Sequence, residues 1–154
     1  MKKIFLGFFA IILLLSCNKD NDESDKIQFD YLIFGRINGE CIGEICIEIF
    51  KITETSLFED TLDSPVQGFE FVELENAKFE QVKDLIDFFP RQLLNQNETV
   101  FGCPNCLDQG ELFIQISKNG IIKTWSIDQF KNDVPSYLHN FMDKVNEKIA
   151  IINN

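Results

Sequence analysis

Five cysteines are the residues of this chain whose type and spacing could do chemistry: Cys17, Cys41, Cys46, Cys103 and Cys106. Cys103-Pro104-Asn105-Cys106 has the CxxC spacing of a redox dithiol, whose first thiol is activated when the N-terminus of a following helix lowers its pKa. Here Leu107-Asp108-Gln109-Gly110 follows, and then Glu111 to Ser117, which reads as a strand. No helix dipole is expected beside the thiol, and Asp108 and Glu111 disfavour a thiolate. Cys41-x4-Cys46 with Cys103-x2-Cys106 could instead supply four ligands to a tetrahedral zinc ion, although the first spacing has one more intervening residue than a tight knuckle usually has. The third use of these four cysteines is two disulfides, with three connectivities open. Local pairing would staple two loop tips. Cross-pairing would clamp distant loops together and close about 60 residues, a stabilisation of roughly 4 kcal/mol on the chain-entropy model.

Cys17 has a different setting. Met1-Lys2-Lys3 opens the chain, a 12-residue apolar run (4 to 15) follows, and Ser16-Cys17 ends it. A short basic start before a brief apolar run is the pattern of an export signal, too short to span a bilayer comfortably as a helix. Leu14-Leu15-Ser16-Cys17 resembles the lipobox of bacterial lipoproteins. The resemblance implies that the Cys17 thiol receives a diacylglyceryl group and that cleavage just before it makes Cys17 the lipidated N-terminus. The alternative is an ordinary secretory signal with an incidental cysteine. Two or three acyl chains, each contributing roughly 0.8 kcal/mol per buried methylene, anchor a protein stably where one would not. Asn18-Lys19-Asp20-Asn21-Asp22-Glu23 resembles the acidic segment that directs Bacteroidota lipoproteins to the outer face of the outer membrane. The same residues also read as a solvated tether, too polar to bury much surface. The resemblance therefore implies an outer-membrane lipoprotein, displayed on the surface rather than facing the periplasm.

These readings divide the chain into a signal peptide (1–16), a lipidated flexible tether (17–27) and one domain (28–154). Removing residues 1–16 leaves 138 of the 154 residues, with 12 basic against 25 acidic side chains and a formal net charge of −13. Such a surface repels phosphate backbones, so nucleic acid is not an expected partner. It would also be repelled by an anionic membrane surface, which makes the lipid the expected sole anchor. No cofactor motif is recognised. In an exported protein an even number of remaining cysteines argues for disulfide bracing, unless an anaerobic setting keeps the thiols reduced.

The elements that must position these residues follow from patterning. Phe29 to Ile37 reads as a strand, ended by Asn38-Gly39, and Cys46 to Ile52 as its hairpin partner, with an elaborated cysteine-bearing tip between them. Residues 53 to 65 read as strand continuation and turn, and Phe69 to Leu74 as a short strand. Asn76 is a good N-cap for a helix in which Phe79, Val82, Leu85 and Ile86, and Phe89 share a stripe, with Pro90 ending or kinking it. Lys118-Asn119-Gly120-Ile121 predicts a two-residue type I′ turn, which pairs Leu112 with Ile127, Ile114 with Trp125 and Ile116 with Lys123. Trp125 is expected in the core. Asn132-Asp133 and Pro135 suit the start of a final helix with Val134, Leu138, Phe141, Val145 and Ile149 as its stripe; Asp143, Lys144, Glu147 and Lys148 fall on its solvated face. The fold class is α+β: a mainly antiparallel sheet, two hairpins plus a short strand, packed with two helices.

Other residues carry weaker chemistry. His139 is the only histidine and has no evident nucleophile or metal partner. The acidic groups Glu40, Glu44 and Glu48, or Glu59, Asp60 and Asp63, lack the EF-hand pattern and read as solvated faces. Asn97-Glu98-Thr99 matches a eukaryotic glycosylation sequon. Of 16 phenylalanines, 13 lie beyond the apolar leader. Phe34, Phe50 and Phe113 are expected on strand positions facing away from the helices, forming an apolar patch for a partner. The sequence therefore predicts a non-enzymatic, lipid-anchored envelope protein that binds an unidentified protein or envelope component. The alternative is a thiol–disulfide or zinc-binding protein acting through Cys103 and Cys106.

Overall fold

The structure is a computed structural model and describes residues 27–38, 46–62, 64, 67–104, 106–107 and 109–154. Among the described residues seven strands run in the order β1 (Tyr31–Ile37), β2 (Ile47–Ile52), β3 (Leu57–Asp60), β4 (Phe71–Glu73), β5 (Val100–Phe101), β6 (Glu111–Lys118) and β7 (Ile121–Asp128). They form one sheet ordered β4-β3-β2-β1-β6-β7-β5. All neighbours are antiparallel except β5, a two-residue edge that pairs parallel to β7. Two helices, α1 (Asn76–Val82) and α2 (His139–Ile152), pack on each other, with α2 against β1 and α1 against β3. The α+β class expected from the sequence is the observed one.

The β6–β7 hairpin forms with the expected register: Leu112 opposes Ile127, Ile114 opposes Trp125 and Ile116 opposes Lys123. Its turn residues Asn119 and Gly120 both take positive φ, 53° and 75°, as a type I′ turn requires. Trp125 is buried and packs toward Phe89, which also meets Phe29 and Phe141 edge-on. These aromatic contacts join the sheet, the segment after α1 and α2 into one core.

The helix expected from Asn76 is shorter than its apolar stripe. Glu75 is the capping position and makes no side-chain cap bond; the α-helix ends at Val82 and continues as 3₁₀ turns over Lys83–Phe88 and Arg91–Asn95 around Pro90. Phe79, Val82, Leu85 and Phe89 are nevertheless buried together, because the tighter turns keep the stripe facing inward. At the other end, Asn132-Asp133 lies in a 3₁₀ turn, and a second one, Ser136–Leu138, leads directly into α2. The stripe Val134, Leu138, Phe141, Val145 and Ile149 is buried as expected.

Two expectations about faces are overturned. Phe34 and Phe50 do not face away from the helices; both are buried in the helix-covered core. The reason is register: Phe34 pairs with Ile114 across β1–β6 and with Phe50 across β1–β2, so all three share the face of Leu112 and Trp125. Of the three phenylalanines expected there, Phe113 alone lies on the other face. Lys148 is not solvated either; it is 4% exposed, its ammonium held by the Gln81 carbonyl at 3.0 Å and by Asp84 at 2.6 Å. The α1–α2 contact brings those acceptors over it.

Gly35 in β1 marks a close approach. A side chain there would run into the Glu48 carbonyl and lie 2.7 Å from Ile49 Cδ1, so the Ile49 side chain occupies the space a residue at 35 would need.

Candidate functional site

Among the described residues Cys46, Cys103 and Cys106 are all disulfide-bonded. Cys103 and Cys106 pair with each other across a tight turn, Cα atoms 5.5 Å apart, with the Cys106 N–H donating to the Cys103 carbonyl. Cross-pairing of the two cysteine loops is thereby set aside, since Cys46 joins neither of them. Cys46 is 1% exposed, beside the start of β2. Cys17 and Cys41 lie outside the described residues, as do Glu40, Glu44 and Asp63.

The CxxC turn is held from beneath by Asp128, the last residue of β7. Its carboxylate is 1% exposed and accepts hydrogen bonds from the backbone N–H of Cys103 (2.9 Å), the backbone N–H of Phe130 (2.8 Å) and the Gln109 amide (3.1 Å). Burial pushes its pKa up, but the three donors together outweigh burial and hold it below the usual carboxylate value. The Gln109 amide also donates to the Cys103 carbonyl, and its oxygen accepts from the Leu107 N–H. Gly102, at φ 75°, is needed for the approach: a Cβ there would sit 2.6 Å from that of Asp128. A negative charge bonded to the Cys103 amide opposes thiolate formation at that residue, so this setting suits a brace better than a redox centre.

The sheet face opposite the helices carries Phe58, Phe69, Phe71 and Phe113. Phe69 stacks on Phe71 (5.4 Å between centroids) and meets Phe113 edge-on (5.7 Å). The Lys51 ammonium lies 4.4 Å from the Phe58 ring centroid and 4.2 Å from that of Phe71. Ile33 and Ile49 are buried on the same side. Toward β6 and β7 the face turns polar, with Thr124 donating to Gln115 and Gln115 to the Tyr31 hydroxyl. An aromatic patch exists, then, but Phe113 is its only member foreseen from the sequence. At its rim Asp60, expected on a solvated face, is instead buried, one carboxylate oxygen accepting from the Glu70 N–H at 2.7 Å and the other without a hydrogen-bond partner.

The third feature is the end of the domain where the chain enters. Asp30 joins the β6–β7 turn: it accepts from the Ser117 hydroxyl (2.7 Å) and the Gly120 N–H (3.1 Å), and its own N–H donates to the Ser117 carbonyl (2.8 Å). These donors, Gly120 foremost, lower the Asp30 pKa. Two hollows flank this turn and share Lys118 and Asn119: a polar cleft of about 620 Å³ that also meets Asp30, Glu54 and Arg91, and an apolar one of about 330 Å³ beside Leu94, Ile116 and Ile121.

The remaining candidates are structural. His139 Nε2 lies 3.2 Å from the Val134 carbonyl at the start of α2. Glu48 pairs with Arg36 at 3.4 Å and contacts Asn153. Among the described residues no group of three or more His, Cys, Asp or Glu side chains is arranged to hold a metal ion, and no helix is long and apolar enough to cross a membrane. The roles of Asp128 and Asp30 were not foreseen. Asp128-Gln129-Phe130 after an apolar strand has the form of a turn closed by an aspartate, which was the available signal for the first; the second has none, because its partners are 87 and 90 residues away. No protein-family model matches the chain, and no curated protein matches it in sequence.

Proposed function

We propose that this chain is a lipid-anchored protein of the bacterial outer membrane, non-enzymatic, whose domain binds a protein or another envelope component. The observation that carries the reading is the order of residues at the start: basic Lys2-Lys3, the apolar run 4 to 15, Ser16-Cys17 and then an acidic polar stretch. Disulfide-bonded Cys46, Cys103 and Cys106 support it, because disulfides persist in an oxidising envelope and not in a reducing cytosol. The aromatic face of Phe58, Phe69, Phe71 and Phe113 supports a binding role, since part-exposed aromatic side chains beside a cation are typical of contact surfaces.

The test is replacement of the acylated residue. Cys17→Ala should move the protein from the membrane fraction to the soluble fraction, with the thermal unfolding of the domain unchanged. Full membrane retention of this variant, or recovery of the wild-type chain with its leader intact in the cytosol, would overturn the reading.

A further inference from the structure

The β6–β7 turn sets adjacent exposed apolar residues beside basic ones. Ile121 and Ile122 follow it directly, 66% and 58% exposed. Consecutive strand residues point to opposite faces, so the tip of this ribbon is apolar on both sides, which packing of one face onto a core does not require. Around it stand Lys118, Lys123 and Arg91, three of the 14 basic residues of a chain with a formal net charge of −11. The polar cleft beside it also meets Asp30 and Glu54, and an adjoining hollow that shares Glu54 adds Asp84 and Asp87; Asp30 keeps its charge while accepting from Ser117 and Gly120.

We propose that this turn docks on the phospholipid bilayer to which Cys17 tethers the chain, Ile121 and Ile122 entering the interface and Lys118 and Arg91 meeting headgroup phosphates, while the Lys123 ammonium stays on the Leu94 carbonyl. The inference rests on the lipid-anchor reading above. Nine residues, 18–26, separate the acylated cysteine from Ile27, a reach of at most about 35 Å. Asp30 fixes the entering chain to this same turn. The chain therefore leaves the tether at the end of the domain that carries the apolar tip, and this entry point favours that end for docking. The CxxC turn, with Leu107 75% exposed, lies at the opposite end of the eight-residue strand β6, about 25 Å away. Exposed isoleucines flanked by cations suit a headgroup layer, where apolar side chains enter the interface and cations meet phosphates. Overall acidity still opposes close approach of every other surface, so docking orients the domain as well as holding it.

The experiment places a tryptophan at each end of the full acylated protein, Ile121→Trp or Leu107→Trp, in phosphatidylcholine–phosphatidylglycerol vesicles with brominated acyl chains. Trp125 is buried and gives a common background. Quenching at position 121 should exceed that at 107 about threefold or more, and adding Arg91→Glu and Lys118→Glu should reduce the difference. Vesicle-bound protein with equal quenching at the two positions would overturn docking and leave the anchor standing. Protein that does not associate with vesicles at all would overturn both. A tryptophan at 121 shielded from bromolipid, with emission shifting blue as protein concentration rises, would assign the surface to a second copy and also overturn the proposal.

Discussion

The Asp30 carboxylate accepts a hydrogen bond from the Ser117 hydroxyl at 2.7 Å, tying the first described segment of the chain to the far end of β6. The same oxygen holds the Gly120 N–H, so one side chain closes a type I′ turn from outside its own hairpin. Asp30→Ala should lower the thermal midpoint and speed amide exchange at Gly120, while Asp30→Asn, which keeps an acceptor, should do less. Unchanged exchange at Gly120 in the alanine variant would count against the bond.

Asp128 gives the domain an acid sensitivity. Its folded pKa lies below the unfolded value near 3.9, so its contribution is complete above that value and is lost as pH falls through the folded one. Asp128→Ala leaves the Cys103 and Phe130 N–H groups without their acceptor, at a cost of about 1–3 kcal/mol near neutral pH. Denaturant midpoints measured across the acid range should converge for wild type and variant as the pH drops. Parallel curves at every pH would reject the assignment.

Lys148 and Asp84 form a pair with one buried and one half-exposed partner. Lys148→Met keeps most of the packing and removes the buried charge, so it should cost little, under about 1 kcal/mol. Asp84→Ala leaves the ammonium with the Gln81 carbonyl alone and should cost more, about 1–3 kcal/mol. Equilibrium unfolding of the two variants checks the order, and the reverse order would show that Lys148 is solvated in solution.

The cysteines should resist thiol reagents in the native protein and react only after reduction. Replacing Cys103 and Cys106 together by serine removes a loop so short that the chain-entropy loss is about 2 kcal/mol. A thiol at Cys103 that reacts rapidly without reductant would revive the redox reading, and metal recovered in proportion to protein would revive zinc.

The hairpin at Asn119-Gly120 was legible because its register is set by two turn residues and local alternation. The same sequence could not show that Phe34 pairs with Ile114, since that register joins segments 80 residues apart; hence Phe34 and Phe50 were assigned to the wrong face. Lys148 failed for a similar reason: helical periodicity puts it beside the apolar stripe, and only the α1–α2 contact decides that it is covered. β5, at two residues, is too short to carry an alternating pattern. The spacing Cys103-x2-Cys106 was plain in the sequence, whereas the buried carboxylate beneath it came from β7, 25 residues on.

The outermost strands of the sheet are three and two residues long. Each offers too few unsatisfied backbone groups to template an incoming extended chain, so strand-by-strand growth into fibrils is blocked at both margins. Contacts are left to the broad surfaces of the sheet and helices, so the sheet edges do not invite self-association.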